Sequence, residues 1–247
     1  MDERLSRAPV VAEFAAAVQP VAGVVAFYAG GSLASRDFHP GRSDLDLVAV
    51  VDRRPDRSRR AALLRVHRRY DPEHPKLHCA YVPGDDAADP ARRHVTWAHR
   101  RLLHRPFSGI GRGELQQGAV VVSGPPPETF FPSLDATALA GAARAELRGY
   151  WRGAVRRSRV WRTDLHVDLG LTTLARADAT IAEGRLITKR EAIARMPGLG
   201  VPAELVAQIA RRRRGEPVEL SEAEIRERAV LVRRLMRDGL RRLLPTR

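Results

Sequence analysis

A chain of 247 residues with 44% hydrophobic content can bury one large core or two modest ones. Its one cysteine, Cys79, excludes an internal disulfide and reads as a buried inert thiol, and no apolar run is long enough for a signal peptide or membrane span. A net charge of +14 invites a polyanion, but Lys76 and Lys189 are the two lysines, and the arginine runs at 53–60 and 211–214 lack interleaved aromatics. The arginine excess, alongside abundant Ala, Gly and Pro, reads as compositional bias. The expectation is a soluble, cytoplasmic monomer with neither a membrane partner nor a specific nucleic-acid partner.

Residues 8–19 are Ala-rich with apolar positions at helical spacing, which predicts a helix ended by Pro20. A strand follows over about 21–28, then Gly30-Gly31-Ser32 and an irregular loop, 37–43, containing Pro40-Gly41. A second strand runs from Asp44 to Val51. Residues i and i+2 of a strand share a face, so Asp44 and Asp46 project together. Paired carboxylates repel unless a cation sits between them. Solvated strand-edge aspartates are the alternative that D-x-D alone leaves open. The glycine pair and serine, whose amides and hydroxyl can hold phosphate oxygens, favour a metal–nucleotide site.

Gly31-Ser32, a short spacer and Asp44-x-Asp46 on a strand resemble the signature of the nucleotidyltransferase superfamily. The spacer ending Gly41-Arg42-Ser43 more closely resembles the aminoglycoside adenylyltransferases that modify streptomycin and spectinomycin. The resemblance implies Mg²⁺ held by Asp44, Asp46 and the triphosphate of ATP, with Gly31 and Ser32 on the phosphates and Ser43 supporting the loop. It also implies a third carboxylate on the next strand, as metal ligand or general base.

That strand is Leu77–Val82, after a surface helix over 56–70, and the expected carboxylate position holds His78. A histidine can still take a proton near neutral pH; a histidine on an open strand face is the alternative. Asp85 and Asp86, just beyond the strand, are further candidates. Residues 90–104 predict a helix carrying His94, Trp97, His99 and His104, whose spacing of five does not gather three zinc ligands. Gly109–Gly118 reads as loop and short helix, 119–123 as a last strand, and Gly124-Pro125-Pro126-Pro127 as the domain boundary.

The remainder reads as helix: 134–161; 164–183 ended by Gly184; one opened by the Thr188–Glu191 capping box and stopped by Pro197; one from Pro202 to about 214; and one from the Ser221–Glu224 box to about 244. The fold class is therefore an α/β (α+β) nucleotidyltransferase-like mixed-sheet domain, 1–130, followed by an all-α helical bundle domain, 131–247. The segment Trp161–Pro197 resembles the substrate-side helices of the same adenylyltransferases, with Arg176, the Ala182–Arg185 turn and Lys189 at the matching places. This implies that Arg176 and Lys189 reach the ATP phosphates. Lys189 has a separate argument, since the helix dipole disfavours a cation at its first residue unless an anion is near; a solvated lysine is the alternative. Asp164 and Asp168 lie one turn apart and, with Trp161, suggest an acidic wall for a small cationic hydroxylated acceptor; acidic residues serving the helix dipole are the alternative. His78 in place of a carboxylate leaves open a nucleotide-binding homologue with impaired catalysis. A nucleic-acid or protein hydroxyl as acceptor, or a non-enzymatic interaction module, is also open.

Overall fold

The structure, a computed structural model, describes residues 2–244. The Ala-rich start forms α1 (Val10–Ala22) with Pro20 inside its last turn. The helix ends two residues beyond Pro20 because Gly23 adopts a left-handed φ of 63°, which terminates it where the proline merely omits one donor. Strand β1 (Val24–Ala29) leads to a single helical turn, α2 (Gly31–Ala34), and β2 spans Leu45–Val51. Helix α3 (Arg57–Tyr70), capped by Asp56, crosses to β3 (Leu77–Pro83), which runs parallel to β2.

Where the sequence predicts a helix over 90–104, the chain forms an antiparallel hairpin, β4 (Arg93–Ala98) and β5 (Arg101–Pro106). Val95 and Trp97 alternate into the core while the turn at His99-Arg100 lacks the glycine or asparagine that signals a hairpin, so the period of two was masked. Helix α4 covers all of Gly109–Gly118, including what reads as loop; the Ser108 hydroxyl accepts from Gly111 N–H at 3.0 Å, and burial of Leu115 offsets the cost of its glycines. Strand β6 (Val120–Ser123) closes a mixed six-stranded sheet of order β5-β4-β3-β2-β1-β6, in which β2–β3 is the parallel pair.

Strand β2 shows how the sheet divides its faces. Leu45, Leu47, Ala49 and Val51 pack with Phe14 and Val18 of α1 and Leu63 of α3. Val48 and Val50 face the other way, toward Tyr28, Ala80, Val82, Leu115 and Phe131. By strand alternation Asp46 belongs to that second face, at the end where its apolar cover stops. Cys79 is buried among the first set, and burial pushes its thiol up to about 12.

The chain divides into two compact units, one ending at Leu134 and one beginning at Asp135. Phe131, past residue 130, is fully buried in the first unit with the Arg112 guanidinium 5.5 Å from its ring centre. In the second unit the predicted helix 134–161 is broken. Helix α5 (Ala136–Glu146) runs into a wide turn at Leu147–Trp151, where Gly149 leaves helical geometry, then into the short α6 (Arg152–Ala154) and a tight turn at Ser158–Arg162. Helix α7 (Asp164–Glu183) ends at left-handed Gly184. Helices α8 (Lys189–Arg195) and α10 (Glu222–Leu243) open with the predicted capping boxes, and α9 (Ala203–Arg214) lies between them. Helix α7 packs against α5, α8 and α10. No helix among the described residues is long and apolar enough to cross a membrane.

Candidate active site

The site is built where β1 ends beside the start of β2. Gly30 N–H donates to the Asp46 carbonyl at 2.8 Å, which pins the glycine turn to the strand carrying Asp46. Gly31 has φ 56°, and a Cβ there would overlap the Asp46 carboxylate. Only glycine avoids both the left-handed penalty and the clash. Gly31→Ala is expected to destabilise the protein by about 1–2 kcal/mol and to displace Asp46; a chemical-denaturation midpoint at the wild-type value would contradict this. Next to it, the Ser32 hydroxyl is buried without a hydrogen-bond partner among the described residues. A buried hydroxyl left unmatched costs free energy that a ligand oxygen would recover.

The loop between this turn and β2 is held from two directions. The Ser43 hydroxyl accepts from His39 N–H at 3.0 Å, and Ser43 N–H donates to the His39 carbonyl at 2.9 Å. Lys76 Nζ donates to the Arg42 carbonyl at 2.7 Å. Sequence reasoning missed Lys76; its signal was that it is one of two lysines in an arginine-rich chain. Asp46 is half exposed and Asp44, just ahead of the strand, is partly buried. Among the described residues no three metal-ligating side chains are gathered. Two hard carboxylates, with phosphate and water oxygens completing the shell, suit Mg²⁺, which rarely takes an all-protein cage.

His78 lies directly beside Asp46 in the β2–β3 register, with its Nδ1 3.8 Å from Asp46 Oδ1. Of the expected candidates for the third position, it is the one at the site. Asp85 and Asp86 follow the far end of β3, roughly 16 Å along the strand from His78. Asp86 is also occupied by Arg54 at 3.0 Å and Arg92 at 3.4 Å. Two further residues approach from the hairpin that sequence reasoning mistook for a helix. The His99 ring stands 5.6 Å from that of His78. Burial lowers the Arg105 guanidinium and the Asp46 charge opposes that shift, so these two charges sense each other.

Within the second unit, Arg176 Nε donates to the Ile187 carbonyl at 2.9 Å, which brings it to the chain segment that enters α8 at Lys189. The adjacent Glu191 carboxylate is engaged by Thr188 N–H at 2.7 Å and Arg185 at 3.1 Å. The three residues of the expected wall are each engaged within the second unit. Trp161 is fully buried, its indole N–H donating to the Ala154 carbonyl at 3.1 Å. Asp168 is gripped by Arg212 at 2.9 and 2.6 Å, and Asp164 lies 2.7 Å from Arg228. Arginines neutralise both carboxylates, and the bulky indole fills the core against Gly170. Trp161→Ala is expected to cost about 3–5 kcal/mol in urea unfolding; a loss below 1 kcal/mol would mean the indole is not the packing centre it is here.

Five arginines of the two runs are paired with acidic neighbours: Arg54 with Asp86, Arg59 with Asp52, Arg211 and Arg214 with Glu216, and Arg212 with Asp168.

No family model matches the sequence, and no curated protein matches it. The structure is similar to that of spectinomycin adenyltransferase AAD(9) from Enterococcus faecialis, solved with ATP and spectinomycin, with a TM-score of 0.67 and 14% identity over 95% of this chain and 98% of that one. The likeness establishes a nucleotidyltransferase-like fold.

Proposed function

We propose that the protein is a nucleotidyltransferase that transfers AMP from ATP to a hydroxyl of an aminoglycoside-like small molecule. The observation that carries this reading is the unmatched, buried Ser32 hydroxyl on a glycine turn bonded to Asp46, in a fold shared with an adenyltransferase solved with ATP. Residues up to Leu134 would form the transferase domain, and the helical domain from Asp135 carries Arg176 and Lys189, which the family resemblance implies as phosphate contacts. Gly31 and Ser32 hold the phosphates, and Ser43 with Lys76 keeps the loop in place. Asp44 and Asp46 would hold Mg²⁺, which when bound neutralises phosphate charge and polarises the α-phosphorus. His78 accepts the proton of the acceptor hydroxyl as its oxygen bonds to the α-phosphorus and the bond to the β-phosphate oxygen breaks, releasing pyrophosphate. The acceptor class rests on the resemblance of residues 161–197, since Asp164 and Asp168 are committed to arginines.

The test is incubation with ATP, Mg²⁺ and a panel of aminoglycosides. The expected product is an acceptor heavier by one adenylyl group (AMP less one water), with pyrophosphate released in equal amount. Absence of both across the panel would overturn the transfer reading. A second reading, a catalytically silent nucleotide binder, is favoured by the imidazole standing where the family resemblance implies a carboxylate. It predicts Mg²⁺-dependent ATP binding without pyrophosphate release.

A further inference from the structure

The hairpin joining β4 to β5 turns in two residues, since Ala98 and Arg101 are paired across it. Both turn residues have positive φ, 52° at His99 and 63° at Arg100. A two-residue turn with both positions left-handed favours Asn-Gly, and a bulky side chain at the second position is strained. The strain is held by an anchor: Arg100 donates through Nε to Asp71 Oδ2 at 2.7 Å, and Asp71 is buried where α3 ends. Backbone held in an unfavourable conformation by such an anchor clusters at functional sites. What this turn delivers is the His99 ring, exposed itself, at 5.6 Å and 60° from the ring of His78, which in turn is 3.8 Å from Asp46.

We propose that His99 is a positioning residue for His78, its ring restricting the rotamers of the neighbouring imidazole so that it stays beside Asp46. The inference rests on the proposed function in assigning His78 the acceptor's proton. The contact itself is open to a test that needs no turnover.

The experiment compares His99→Asn with His99→Phe, both retaining the Arg100–Asp71 anchor. Asparagine suits the left-handed turn and removes the ring; phenylalanine keeps a ring and strains the turn. If His99 only shapes the turn, Asn is harmless and Phe damaging. If it positions His78, the order reverses. His99→Asn is expected to keep or raise the thermal midpoint, to lower kcat by about 10- to 100-fold with KM for ATP unchanged, and to raise the carbethoxylation rate of His78 severalfold. His99→Phe restores kcat and slow labelling at a lower midpoint. Labelling is read on the tryptic peptide 77–92, whose one histidine is His78. Wild-type rates of labelling in His99→Asn would overturn the positioning role whether or not the enzyme turns over. Wild-type protein that transfers nothing to any acceptor would instead remove the proposed function, with the labelling comparison still deciding the contact.

Discussion

Asp46→Asn is expected to lower nucleotide transfer on the order of 10³-fold while leaving the fold intact. The substitution keeps shape and removes one charge, so it acts on whatever cation and phosphate the site gathers. Removing one fixed electrostatic contact to a transition state typically costs 10²–10³-fold, and loss of a metal ligand compounds it. The fold should survive because the Asp46 side chain is half exposed, and its backbone, not its carboxylate, holds Gly30. Asp44→Asn is expected to behave alike. The measurement is initial transfer rate beside the thermal midpoint. Full activity in either variant would eliminate the two-carboxylate mechanism; a midpoint lowered by many degrees would mean the aspartate is structural instead.

The second large effect is acid lability from the core. His67 is buried on α3, stacked on Trp97 with ring centres 4.6 Å apart, and its Nε2 lies 2.8 Å from the Tyr81 hydroxyl. Burial pushes its pKa from 6.5 down to about 3. The unfolded chain therefore binds a proton as pH falls through 6.5, whereas the folded chain stays neutral until about 3. Stability contributed by this group is present above pH 6.5 and is lost as pH falls across that window, by up to about 1.4 kcal/mol per pH unit and on the order of 5 kcal/mol in all. His94, buried on β4 with neither ring nitrogen hydrogen-bonded among the described residues and its pKa also lowered by burial, adds in the same direction. Urea midpoints from pH 7 to 4 should fall more steeply for wild type than for His67→Gln, which stays neutral and can still bond Tyr81. Equal slopes would refute the assignment to His67.

The site and the core differ in how far they could be read in advance. Gly31, Ser32, Asp44 and Asp46 are carried by two short motifs, and the strand that holds Asp46 is legible from its apolar run, although it starts at Leu45 and leaves Asp44 just ahead of it. The same holds for the capping boxes at Thr188 and Ser221 and for the glycine that ends α7, since each is a contact within a few residues. His78 was legible as the residue in the third position, but its distance from Asp46 depends on strand register.

What misled was long-range. The hairpin at 93–106 has no turn residues of the usual kind, and its left-handed conformation is imposed by an anchor at Asp71, 29 positions away from Arg100. Asp164 and Asp168 looked like a free acidic face because their partners, Arg212 and Arg228, come from other helices. The sequence by itself determined the local structure: the glycine turn, the two aspartates at the start of β2, the caps and the alternation of β2. Only the tertiary structure decided which charges are spent and which rings meet. Charge pairing and burial are fixed by neighbours distant in the chain, and no periodicity along it records them.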